Sequence, residues 1–199
     1  PGSSPGIPIL LFKMQDLIAR IRKELYSKPA PGEVLNNITD KKLVEIASKY
    51  PHNNDALWLG TYLADLFITE AKDTGDITKH VPMTVEYTKQ LIIDEKISDE
   101  IAEILIELIE THHGGPQKHI ESKLFKNADC FKFLDPKGVF HIFGVFYEET
   151  EESFKKAIEY TMFKVEEKYH LVDLDDELKA EAKELYDRWQ WFFKRLDYR

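Results

Sequence analysis

Carboxylates and imidazoles recur at positions where the surrounding pattern calls for apolar side chains. Residues 57–68 read LWLGTYLADLFI, apolar on nearly every side, and Asp65 is the only charge among them. A helix that is hydrophobic all round is buried, and an ionised carboxylate inside it is costly without a cation or strong hydrogen bonds. Asp65 therefore faces a solvent gap, pairs with a lysine, or ligates a metal ion that offsets its lost hydration. His112 continues the stripe Ile101, Ile104, Leu105 and Leu108, while His113 is turned about 100° away. An inward histidine of this kind is either a hydrogen-bonded core residue or a ligand. Asp129 stands four residues from Phe125 and from Phe133, so it is drawn inward with them or pairs with Lys126 or Lys132 at the surface. His80 opens a helix whose same side carries Thr84, Thr88 and Leu91, and either a local hydrogen bond or ligation accounts for it.

Together these residues put carboxylates and imidazoles on the inward faces of four helices. Two Asp and one or two His form a mixed oxygen and nitrogen ligand set, suited to a divalent ion such as Mn, Fe, Ni, Co or Zn, with Mg also admitted. Such an ion lowers the pKa of bound water and polarises a phosphoryl oxygen.

The elements that must position these groups are helices. Leu10, Met14, Leu17, Ile21 and Leu25 share one helix face, and Pro29, Pro31 and Gly32 then break the chain. Thr39 and Asp40 can cap a short helix carrying Leu43, Val44 and Ala47. Asn53 or Asn54 can cap the next, over residues 55–72. A fourth runs from Lys79 to Ile93, with Pro82 in its first turn. A fifth starts after Ser98, with Asp99 and Glu100 favourable to the helix dipole, and ends at Gly114-Gly115-Pro116. A sixth covers residues 120–134 and is closed by Pro136. Residues 138–147 (GVFHIFGVFY) have a strand-like composition but no partner strand, and are read as helix or loop. Two amphipathic helices follow, one with Phe154, Ala157, Ile158, Thr161 and Val165, the other with Leu178, Ala182, Leu185, Trp189, Phe192 and Leu196. The expectation is an all-α, single-domain helical bundle of about 7–9 helices.

Composition narrows the partners. The 199 residues are 43% hydrophobic and 32% charged, which is ordinary globular usage, and 12 Phe, 9 Tyr and 3 Trp supply a core. A net charge of −9 argues against a nucleic acid or an anionic membrane as the main partner. The longest apolar runs are too short to span a bilayer. Cys130 is the only cysteine, which excludes an intrachain disulfide and a cysteine-based zinc site and makes a reducing, cytoplasmic compartment the default. Residues 1–6 (PGSSPG) read as a linker or expression scar.

The order of these residues is recognisable. A buried helix with an Asp precedes His80 in HVPMTVEYTKQLI, then ILIELIETHHGG, then ESKLFKNADCFKFLD. This resembles the HD-domain superfamily of metal-dependent phosphohydrolases, whose hallmarks include a buried helix ending in His-Asp, a later His opening a helix, a His or His-His closing another, and an Asp in an ADxxxxL-type segment. ADCFKFL with Asp129 matches best, THHGG next, and the segment at His80 after that. The resemblance spans residues 36–146, with the helices of residues 151–196 packing on that core in a domain of residues 7–199. Where the family has His-Asp this chain has Ala64-Asp65, and no His occupies positions 37–41, where the family's first His would fall. His52 lies in a loop, out of place for that role.

The resemblance implies a metal set of Asp65, His80, His112 or His113, and Asp129, with Asp65 and Asp129 as catalytic residues. Lys79, Lys118 or Lys123 would neutralise a substrate phosphate. Three functions follow as alternatives. One is hydrolysis of phosphomonoesters or phosphodiesters, nucleotides included. Another is a catalytically inactive HD-like protein that binds a small phosphorylated molecule or a protein partner, in which the metal is dispensable. The third is a helical bundle acting through Trp189, Trp191, Phe192 and Phe193, which either form a homodimer interface or close the core.

Overall fold

The structure, a computed structural model, describes residues 9–151 and 153–196, with side chains from Lys13 onward. The opening hexapeptide and the Leu10 side chain, both assigned from sequence, lie outside the described residues. Among the described residues there are ten α-helices and no strand. By contact density the chain divides into two compact units, Pro1–Pro31 with His52–Glu110 and Gly32–Pro51 with Thr111–Arg199. No helix among the described residues is long and apolar enough to cross a membrane.

The first unit holds α1 (Ile9–Tyr26), α3 (Asn54–Ala64), α4 (Ile68–Asp73), α5 (His80–Glu95) and α6 (Asp99–Thr111). The α1 stripe buries as its spacing requires: Leu17, Ile18, Ile21 and Leu25 join Leu59, Leu63 and Leu66, Val85 and Leu91, and Leu105 and Ile109 in one cluster. Each such side chain contributes about 1.5–3 kcal/mol. Gly60 lets α3 approach α6 closely, since a Cβ there would lie 2.7 Å from a Leu108 methyl. Asn53 caps α3, its side chain accepting from the Ala56 N–H at 3.1 Å.

The second unit holds α2 (Glu33–Ala47), α7 (Ile120–Phe131), α8 (Pro136–Glu149), α9 (Phe154–Leu171) and α10 (Asp176–Leu196). The α2 helix starts six residues before the Thr39 cap expected from sequence: Gly32 is its N-cap, and Thr39 lies inside, its hydroxyl donating to Leu35 O at 3.2 Å. Val44, expected inward, is exposed. Residues 138–147 are helical, within α8. Asp135 caps it by accepting from the Lys137 N–H at 2.8 Å, and Pro136 occupies the first turn. Pro136 thus starts a helix as well as ending the one before it. Gly138 is obligatory, because a Cβ would collide with the Lys132 carbonyl oxygen at 1.7 Å.

The aromatic end of α10 divides between core and surface. Trp189 and Phe193 are buried and the Trp189 Nε1–H donates to Leu134 O at 2.8 Å, whereas Trp191 is 58% exposed beneath Arg195. Phe154 and Leu196, expected on buried faces, are exposed.

Candidate functional site

In the first unit, the site is built by two interruptions of helix. The apolar run expected to form one helix over residues 55–72 breaks at Asp65. The α3 helix stops at Ala64, Asp65 takes the C-cap position, the Leu66 N–H turns back to Leu63 O at 2.9 Å, and α4 restarts at Ile68. Aspartate has a low helix propensity, so it suits a position where the helix ends. The result places a carboxylate, 5% exposed, at an elbow inside the core rather than on a helix flank.

The second interruption positions His80. Asp76 caps the 3-10 turn of residues 77–79, accepting from the Thr78 N–H at 3.1 Å and its hydroxyl at 2.6 Å. That turn aims Ile77 O at the His80 ring, 2.6 Å from Nδ1. A carbonyl oxygen only accepts, so Nδ1 carries the proton and Nε2 presents its lone pair when the ring is neutral. Nε2 lies 3.8 Å from Asp65 Oδ1, and both side chains are buried. That separation is beyond a hydrogen bond. It suits two ligands of one ion, each at about 2.0–2.2 Å. An Nδ1–H held by a backbone carbonyl is also how metal-bound histidines are oriented. The residue types and their geometry therefore fit a divalent ion.

In the second unit, His112 is fully buried and His113 exposed, their ring centroids 3.8 Å apart, with the His112 ring 6.0 Å from Phe125. They follow the end of α6, where Gly114 and Gly115 take φ near +120°. Gln117 secures the turn, its Nε2 donating to Thr111 Oγ1 at 3.2 Å and Ser122 O at 3.1 Å. The inward position of His112 and outward position of His113 agree with the stripe read from sequence.

Asp129 is 1% exposed, as its spacing predicts. Its carboxylate meets two buried ammonium groups, Lys132 at 2.5 Å and Lys168 at 3.1 Å. Burial opposes the charge on Lys168, but the neighbouring carboxylate outweighs it and holds the ammonium above the ordinary lysine range. The Phe133 ring lies 5.3 Å from Lys132 Nζ and 5.1 Å from Lys168 Nζ. Lys79, Lys118 and Lys123, chosen from sequence for phosphate, are all exposed. Lys132 was named from sequence as a partner of Asp129, although at the surface and not in the core; the lysine that sequence reasoning missed is the buried Lys168. Lys168 continues the Thr161, Val165 stripe by three residues, and that spacing was the available signal.

Cys130 is buried among these groups, and burial pushes its thiol up to about 12, so it offers no thiolate. Beside it, Asn127 ties α7 to the connection before α10: its Oδ1 accepts from the Asp173 and Leu174 N–H groups at 2.9 and 3.2 Å. Lys126 meets the Asp173 carboxylate at 2.6 Å.

Comparison with known proteins supplies no relative for this chain: no family model matches, and no curated protein and no solved structure matches it either.

Proposed function

We propose that this chain is a metal-dependent phosphohydrolase of HD type with a reduced ligand set, acting on a small phosphorylated molecule as a phosphomonoesterase or phosphodiesterase. The observation that carries the reading is the Asp65–His80 pair, a buried carboxylate oxygen and an imidazole nitrogen 3.8 Å apart with the histidine tautomer set by Ile77 O. A divalent ion bound there would supply the Lewis acidity that phosphate-ester hydrolysis needs. Asp65 and His80 orient the ion and exclude water from two of its positions. Lys79, Lys118 and Lys123 are exposed, as residues that meet a phosphate arriving from solvent must be. The lone buried cysteine supports a reducing, cytoplasmic setting, and the exposed Trp191 supports a homodimer face.

The test is metal analysis of protein purified without chelator, followed by a screen of phosphate esters with added Mn or Ni. Bound metal and turnover support the reading; no metal and no turnover with any ion refute it. A second reading, an inactive HD-like protein that binds a phosphorylated ligand or protein partner, is favoured by Asp129, whose charge is already met by Lys132 and Lys168. It predicts ligand binding that EDTA does not abolish.

A further inference from the structure

In the second unit an open groove of about 640 Å³ runs between α8 and α10. Pro136 and Phe140 form one wall, Leu185, Trp189 and Phe192 the other, and Trp191 stands beside them. The apolar spacing of α10 is the cause. Leu178, Ala182, Trp189 and Phe193 take its buried face, yet Leu185, Phe192 and Leu196 extend the stripe sideways, and neither Phe192 nor Leu196 is buried. Phe140 packs edge-on against Trp189 and Phe192, with ring centroids 5.6 and 6.1 Å apart, and still stays 55% exposed. Contiguous apolar surface of this kind, rimmed by charge, marks an interaction site.

Three observations point to the occupant. The first is shape. A hollow and a projecting Trp191 share one face, and a two-fold interface needs one patch that fits itself. Trp is also the side chain that most often anchors such contacts. The second is area. Phe140, Trp191 and Phe154 are each at least half exposed, and Phe143, one turn after Phe140 on α8, meets Phe154 at 5.4 Å. With the part-exposed Leu185, Phe143 and Phe192 they offer on the order of 400 Å² of apolar surface. That is close to the non-polar share, about 57%, of the ~800 Å² that each partner buries in a stable dimer.

The third is charge. Residues 176–187 of α10 carry five acids against two lysines, a net of −3, and residues 188–196 carry three bases and no acid, a net of +3. The exposed pairs within the helix, Lys183–Asp187 and Arg188–Glu184, leave that imbalance in place. Two such helices attract when they run antiparallel, as a two-fold axis across them requires, and repel when parallel. The chain as a whole carries −9, so a second copy is held by this local pattern and not by bulk charge.

We propose that this face is a two-fold interface between copies of this chain, in which the α10 helices run antiparallel and Trp191 of each copy fills the groove between α8 and α10 of the other. The proposal rests on the homodimer reading above and names its face.

The experiment is sedimentation velocity of the whole chain, from low to high micromolar concentration. It compares the wild type with three variants at exposed positions: Trp191→Ala, Arg195→Glu and, outside the groove lining, Phe163→Ala. Arg195 lies over the Trp191 ring at 3.9 Å, so it belongs to the same face. The wild type is expected to associate to a dimer. Trp191→Ala is expected to weaken association at least tenfold, Arg195→Glu to weaken it as well, and Phe163→Ala to leave it unchanged, all with an unaltered helical circular dichroism spectrum. A wild type that stays monomeric overturns both the proposal and the homodimer reading, and it is the result expected if a small apolar ligand or another protein takes the groove. A dimer whose strength Trp191→Ala leaves unchanged overturns this face while the homodimer reading stands. Association unaffected by Arg195→Glu overturns the antiparallel arrangement. Growth beyond two copies overturns the two-fold axis, because an isologous contact closes at a dimer.

Discussion

Asp129 shows how a single side chain can be placed correctly by sequence while one of its partners stays hidden. Its spacing from Phe125 and Phe133 predicts burial, and burial is observed. Lys132, three residues on, is a local partner, whereas the second counter-charge comes from Lys168, 39 residues later on another helix. Two ammonium groups share this one carboxylate, so Asp129→Asn would leave both of them buried without their anion. The expected loss is about 3–5 kcal/mol of stability, read from urea unfolding, while the exposed Lys123→Gln changes stability by less than about 0.5 kcal/mol. Asp65 and His80 were legible for a different reason. An acid in an otherwise unbroken apolar run and a histidine at a helix start are both local anomalies, visible without knowledge of what lies across from them. The tautomer of His80 was not legible, because it depends on where a turn aims one carbonyl.

At the scale of elements, most helices were visible from apolar spacing, and the errors fall at their ends. The break at Asp65 was missed because residues 57–68 are apolar on all sides, so the pattern carries no phase that a break would interrupt. The α8 helix was ambiguous because aromatic and β-branched residues suit a strand equally well. The decisive signal was Asp135-Pro136, a cap followed by a first-turn proline. The start of α2 was not legible at Thr39 because a threonine suits a cap and a helix interior alike, and here its hydroxyl bonds back to Leu35 O. The short turn of residues 77–79 has the clearest functional consequence, since Asp76 holds the carbonyl that holds His80. Asp76→Ala is therefore expected to weaken metal binding about 10- to 100-fold while costing about 0.5–2 kcal/mol in stability. Unchanged Mn(II) affinity in a folded Asp76→Ala protein would show that the turn does not orient the ligand.

At the scale of the whole molecule, helix class follows from periodicity, whereas the division of the chain into two units does not. The helix of residues 33–47 belongs by its contacts with the C-terminal half, and such a long-range exchange leaves no mark on local spacing. Acid stability is also set by long-range pairs. Burial pushes the Asp173 carboxyl up, but hydrogen bonds from Lys126 and Asn127 more than reverse this. The hydrogen bonds from the Tyr50 hydroxyl and the Leu178 N–H lower Asp175. A carboxylate whose folded pKa is depressed contributes stability above its unfolded value of about 4, and that contribution disappears as pH falls through the folded value. Unfolding temperature should thus decline below about pH 4, and Asp173→Asn should flatten that decline; an unaltered profile would remove Asp173 from the account.

The central claim, that Asp65 and His80 are ligands of one divalent ion, is met most directly by calorimetric titration of chelator-stripped protein with Mn(II), beside Asp65→Asn. The account predicts saturable binding to the wild type and at least a tenfold loss of affinity in a variant that remains folded. Equal affinity in the two proteins, or no binding to either, would contradict it.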